Sequence, residues 1–213
     1  MSICDIQANL ISTNDRDSLG LRPTTVLAAV RHTHSLIAKI DDTISEEGGT
    51  RLADLVELAN LSAIIGNLFR AGVVKNCGGR FKANGPHKYP DLLSNNADCE
   101  NIEIKVALET NQPKGHLVKP GPHLTVRYVL CSDDGSFTRG RENRGSVPQI
   151  WEVRLGKLLS KDFNFSNTAG DSGKTAVINS DGLYNMELIY FDQAKCPYSP
   201  RGTVYKRLLE QSS

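Results

Sequence analysis

The feature that most narrows the possible fold is a short run of strict alternation at residues 101–108, NIEIKVAL. Ile102, Ile104 and Val106 alternate with Glu103, Lys105 and Ala107. Side chains on a strand change faces at every residue, so the first three belong to a core while Glu103 and Lys105 share the opposite face. Such a strand needs neighbours, and the chain supplies three further candidates. In residues 123–131, Leu124, Val126, Tyr128 and Leu130 alternate with Thr125, Arg127 and Val129. Residues 149–155 (QIWEVRL) form the next, with adjacent Ile150 and Trp151 leaving its facing open, and 186–191 (MELIYF) the last.

Helical periodicity precedes these strands. From Thr24 to about Ile44, Val26, Leu27, Val30, Ile37 and Ile40 recur at helical spacing behind Pro23, a residue suited to a first helical position, and Glu46-Glu47-Gly48-Gly49 ends the element. A second helix is expected from Arg51 to Arg70, closed by Ala71-Gly72. His32 and His34 stand two apart on the first helix and cannot share a face, so they read as surface or packing residues rather than a metal pair. Residues 73–89 and 109–123 read as loops from their Gly, Asn and Pro content, as does the polar stretch 132–146. A short terminal helix is expected over 205–210. Helices followed by strands make an α+β (mixed α/β) chain with a central mixed sheet flanked by helices. At 213 residues one domain is expected, with a helical N-terminal part at about 22–73 and a strand-rich catalytic part at about 87–213.

A net charge of +1 excludes a generic polyanion binder, so any nucleic-acid role needs its cations gathered on one side. Cysteines at 4, 77, 99, 131 and 196 form no CxxC pair and no zinc spacing, which reads as reduced thiols in a cytoplasmic protein. No signal peptide is visible at the N-terminus, and no run approaches membrane-spanning length.

The chemistry concentrates around the first strand. Pro90-Asp91 is followed by eleven residues and then Glu103-Ile104-Lys105. A hard cation such as Mg²⁺ prefers oxygen ligands, and Asp91, Glu103 and the Ile104 carbonyl would supply them while waters complete the shell and Lys105 stands beside a bound water. This order of residues resembles the PD-(D/E)xK nuclease superfamily, which includes many type II restriction endonucleases, over the central third to half of the chain. The plainer alternative is an exposed acid and base on a half-solvated strand, with Pro90-Asp91 as a turn.

The resemblance implies Mg²⁺-dependent hydrolysis of a phosphodiester by water, leaving a 5′-phosphate and a 3′-hydroxyl, with one or two metal ions per site. It implies Asp91, Glu103 and Lys105 as catalytic residues. In several members an acid from a preceding helix joins the metal, which makes Glu57 (or Asp54) a further ligand; a solvated helix face is the alternative for both. Long basic loops favour sequence-specific cleavage of double-stranded DNA, with Lys88, Lys114, His116, Lys119, Arg139, Arg141, Arg144 and Lys174 as candidate DNA contacts. A palindromic target would call for a homodimer, and a restriction enzyme for a prokaryotic cytoplasm. Two other functions stay open: a repair or recombination nuclease specific for DNA structure, and a non-catalytic DNA-binding protein. Gly173-Lys174-Thr175 is not a nucleotide loop, because Thr168 replaces the first glycine and a strand-like TAVINS follows.

Overall fold

The computed structural model describes residues 19–86, 88–166, 175–199 and 205–206. Helix α1 (Pro23–Glu46) has Pro23 in its first turn and buries Val26, Leu27, Ala29, Val30, Thr33 and Ile37 along one stripe. The expected second helix is interrupted. A single turn, α2 (Leu52–Leu55), is separated from α3 (Leu58–Asn76) by extended backbone at Val56 and Glu57. Asp41 of α1 holds this corner, its carboxylate accepting from Leu52 N–H at 2.8 Å and from Arg51 Nη1 at 3.3 Å. Nor does Gly72 close α3. A Cβ there would lie 2.8 Å from Ala29 Cα, so the glycine permits a close helix crossing within the helix rather than ending it.

The loop expected over 73–89 also holds structure. Strands β1 (Phe81–Ala83) and β2 (Leu92–Ser94) pair antiparallel, and the connection between them contains a cis Tyr89–Pro90 bond. The main sheet consists of β3 (Glu103–Leu108), β5 (Gly121–Cys131), β6 (Val147–Leu158) and β9 (Glu187–Phe191), in the order β3-β5-β6-β9. β3 runs parallel to β5, and the other pairs are antiparallel, so the sheet is mixed. A smaller sheet, β4-β8-β7, joins β4 (Lys114–Gly115), β7 (Phe163–Ser166) and β8 (Thr175–Ile178). Lys114–Gly115 thus makes a short strand where the proline content of 109–123 predicts none. Helix α4 (Ser180–Asn185), capped by the Asn179 side chain accepting from Gly182 N–H at 2.8 Å, was not expected. Residues 207–210 of the expected terminal helix, and the 167–174 loop with Lys174, lie outside the described residues.

One face of the main sheet packs Ile102, Ile104, Leu124, Val126 and Tyr128 against Val30, Ile65 and Phe69 of α1 and α3. The other face is covered too, which the alternation in β5 does not reveal. Thr125, Arg127 and Val129 are as buried as their neighbours because the small sheet, α4 and the side chains of Tyr198 and Tyr205 lie over them. Buried Arg127 is matched by Glu152. Its Nη2 lies 2.6 Å from Oε1, Arg154 Nε lies 3.0 Å from Oε2, and the Tyr205 hydroxyl donates to Glu152 and accepts from Arg127. The Arg127 guanidinium stacks 4.4 Å from the Trp151 ring centroid.

Candidate functional site

Strand β3 is an edge of the main sheet, and its outer edge receives the segment that carries Asp91. Leu92 and Ile102 exchange both backbone hydrogen bonds, at 2.9 and 3.0 Å. Two residues on, that ladder would need Pro90 opposite Ile104, but proline has no N–H to give. The Asp91 carboxylate takes over, its Oδ2 accepting from Ile104 N–H at 2.8 Å. The N–H and C=O of one strand residue point to the same edge, so the Ile104 carbonyl faces Asp91 as well. Proline followed by aspartate therefore has a local structural logic: the first ends the ladder and the second caps it.

Glu103 and Lys105 share the other face of β3, as the alternation requires. Glu103 is only 4% exposed, and its Oε1 is approached by Lys105 Nζ at 2.5 Å and by Lys119 Nζ at 3.3 Å. Burial alone would raise its pKa, but the two ammonium groups outweigh burial and hold it below the usual carboxylate range. Asp91 goes the other way. Burial raises its pKa and the neighbouring Glu103 carboxylate adds to this, against the opposing Ile104 N–H and Lys105. Tyr89 lies under Lys119, 4.1 Å from Nζ to the ring centroid, and Arg70 Nη1 of α3 reaches to 3.9 Å from Asp91 Oδ1. Gly115 of β4 closes over the lysine: a Cβ there would lie 3.2 Å from Lys105 Cε. His123, the β5 partner of Glu103, is fully buried, bonded through Nδ1 to the Gly121 carbonyl at 2.9 Å, and its pKa is lowered chiefly by burial.

Of these residues, Asp91, Ile104, Lys105, Gly115 and Lys119 line a cleft of about 1490 Å³, and Glu103 is not part of that lining. Its floor is the edge of β3 from Ile104 to Leu108, and one wall is the small, uncharged side of α3 at Ala59, Ser62, Ala63 and Gly66. Of the candidate DNA contacts, Lys114, His116, Lys119, Arg141 and Arg144 line it, and among the described residues Asp91 is the single carboxylate in that lining. Arg144 is engaged on both nitrogens by Glu109, at 2.6 and 2.9 Å. Two other candidates do not line the cleft. Lys88 is exposed on the β1–β2 connection, and Arg139 Nε donates to the Cys196 carbonyl at 3.3 Å, beyond the opposite end of the sheet.

Glu57 is not brought to the pair. It caps α3, and Arg70, the helix residue that meets Asp91, is thirteen positions further on, about 20 Å along the axis at ~1.5 Å per residue. Asp54, in α2, is exposed one turn earlier still. Among the described residues no group of three or more His, Cys, Asp or Glu side chains is arranged to hold a metal. The donors that do converge are hard: the Asp91 and Glu103 carboxylates and the Ile104 carbonyl. Two carboxylates, one of them with a raised pKa beside the other, make a place where a divalent cation relieves mutual repulsion, so the residues fit one such ion with waters completing its shell.

Arg70, Tyr89 and Gly115 were not singled out from sequence, and Lys119 was read as a DNA contact rather than a partner of Glu103. Nothing in their spacing signals these roles, since each comes from a separate element. His34 is a packing residue, one of the two roles expected of it, and its Nε2 accepts the Ile150 N–H at 2.9 Å. No helix among the described residues is long and apolar enough to cross a membrane. Compared with protein-family models, with curated proteins and with solved structures, the chain matches none.

Proposed function

We propose that this chain is a Mg²⁺-dependent endonuclease of the PD-(D/E)xK type that cuts double-stranded DNA at a specific sequence, in the manner of a type II restriction enzyme. The observation that carries the proposal is the Asp91 carboxylate bonded to Ile104 N–H, which joins Asp91 to Glu103 and Lys105 on the open edge of one strand. The cap accounts for where Asp91 lies, and the cation-rimmed cleft beside it is what favours a functional over a purely structural reading. A duplex is favoured over a single strand because the cleft lining is cationic and, among the described residues, holds no Phe, Tyr or Trp side chain, the imidazole of His116 being its one ring on which an unpaired base would stack.

In the proposed reaction a bound Mg²⁺ would supply charge neutralisation at the phosphate and a lowered pKa for the attacking water. Asp91, Glu103 and the Ile104 carbonyl would hold the ion. Lys105, confined by Gly115, donates hydrogen bonds to the attacking water and to a non-bridging phosphate oxygen, fixing the water for in-line attack. The bond from phosphorus to the 3′-oxygen breaks, leaving a 3′-hydroxyl and a 5′-phosphate. Lys114, Arg141 and the remaining rim cations bind flanking phosphates. A palindromic target would place one copy of this site on each strand of a symmetric homodimer.

The test is incubation of purified protein with long duplex DNA, in Mg²⁺ and in EDTA, beside Lys105→Ala and Asp91→Asn. Discrete fragments that need the cation and vanish in both variants are expected. Intact DNA under every condition returns Glu103 and Lys105 to a structural ion pair. Cutting restricted to branched or damaged DNA replaces site-specific cleavage with a repair or recombination role.

A further inference from the structure

Lys119 occupies a place that the motif alone does not account for. It comes from the loop before β5, and its ammonium lies 3.3 Å from the same Glu103 oxygen that already receives Lys105 at 2.5 Å. One carboxylate oxygen thus carries two cations, while the carboxylate itself is 4% exposed. The Lys105 contact is local, being made by the next residue on the same face of β3. The Lys119 contact spans sixteen positions of sequence and is braced by the Tyr89 ring beneath the ammonium. Lys119 is also part of the cleft lining, so a short swing of a flexible four-carbon stem carries its charge from Glu103 into the cleft.

We propose that Lys119 is an exchangeable counter-ion: it neutralises Glu103 while no divalent cation is bound, and moves to a phosphate of the substrate when one binds. The inference rests on the nuclease reading above. A divalent cation taken up by Asp91 and Glu103 repels an ammonium on Glu103, and the nearest compensating negative charge is then the substrate phosphodiester. Cation binding would in this way prepare a phosphate site, and each ligand would favour the other. Lys105 is held against Glu103 by Gly115 and stays.

The proposal gives opposite signs for two measurements on Lys119→Met, which keeps the stem and removes the charge. In calorimetric titration of the metal-free protein with Mn²⁺, without DNA, Lys119→Met should bind about fivefold tighter than wild type, because a competing half-buried charge is gone. Lys119→Arg, which keeps the charge, should bind as wild type does, and Asp91→Asn should lose binding. The second measurement is the salt dependence of binding to a fluorescent duplex, with the DNA checked for integrity on a gel. With Ca²⁺ present, the slope of log K against log salt should be shallower by about 0.9 in Lys119→Met than in wild type, one phosphate contact fewer, while in EDTA the two slopes should agree.

If Lys119→Met binds Mn²⁺ no tighter than wild type, or if the slopes differ equally in EDTA and Ca²⁺, the exchange is wrong although the metal site stands. If neither protein binds Mn²⁺, the nuclease reading fails, and this inference with it. Thermal melting of each variant separates these outcomes from a loss of fold.

Discussion

Replacing Glu152 with Gln removes one negative charge and almost no volume, in a place where the structure leaves nothing to substitute for it. Glu152 is fully buried and faces Arg127, also fully buried, at 2.6 Å, and Arg154, 7% exposed, at 3.0 Å. A glutamine keeps an oxygen for one arginine but turns an NH₂ group toward the other, leaving two guanidinium groups in low dielectric without an anion. Arginine does not relieve this by losing its proton. Breaking a buried pair by removing one partner typically costs about 3–5 kcal/mol, out of a total stability of about 5–15 kcal/mol for a domain. Urea unfolding followed by fluorescence suits the measurement, because Trp151 is the chain's single tryptophan and its ring carries the Arg127 guanidinium. The control is Glu100→Gln. That carboxylate pairs with Lys157 at a similar 2.8 Å, but both side chains are more than half exposed, so a loss within about 1 kcal/mol is expected. The comparison holds chemistry and distance nearly constant and changes burial. A Glu152→Gln loss below about 1 kcal/mol, with an unchanged denaturant slope, would refute the claim that this buried charge is needed to hold the second face of the sheet.

Three further outcomes are expected. Because the His34 ring accepts the Ile150 N–H and burial pushes its pKa down to about 4, with Lys195 adding to the shift, the folded state resists a proton that the unfolded chain takes up near 6.5. Its contribution to stability is complete above pH 6.5 and is lost as pH falls toward 4, by about 3 kcal/mol at most, and a His34→Gln variant should lack this slope in chemical denaturation between pH 4 and 7. Gly72→Ala should destabilise by about 1–3 kcal/mol although alanine favours helix, because the new methyl meets Ala29 backbone rather than a movable side chain; an unchanged or raised melting temperature would mean the helices separate at no cost. Asp91→Asn keeps an oxygen for Ile104 N–H but removes charge from the proposed cation site, so it should abolish the proposed Mg²⁺-dependent cleavage while shifting the melting temperature by only a few degrees.

The strands and the first helix were legible because their periodicity is set by local geometry. Ile102 and Ile104 enter the core as expected, although Val106 is only partly buried and Glu103 on the opposite face is buried too, and Pro23 marks the start of α1. What escaped depends on residues distant in sequence. Nothing near Arg127 reveals that Glu152 and Tyr205 will neutralise and cover it, so it reads as solvent-facing. Gly72 looks like a helix terminator until Ala29 is known to cross it. At the site, the Asp91, Glu103 and Lys105 set was visible as spacing, but the reason it assembles, a proline-ended ladder completed by a carboxylate, needed the pairing of Leu92 with Ile102. Lys119 reads as a loop cation, and only the return of its loop beneath Glu103 distinguishes it from its neighbours.

The mixed pairing of the main sheet also orders events in time. β5 and β6 form a long antiparallel ladder from Gly121 opposite Leu158 to Cys131 opposite Val147, closed by a loop that joins them directly. β3 instead joins in parallel, and among the described residues its other edge is tied by the Asp91 carboxylate and by the Leu92–Ile102 bridge just before it. Contacts local in sequence form before those that must close longer loops, so the hairpin is the foundation and β3 is added to it. The proposed catalytic constellation therefore sits on a late and separable unit of the fold. In native-state hydrogen exchange the β3 amides should open well below the free energy that releases those of β5, allowing the cleft floor to breathe while the sheet beneath it stays intact.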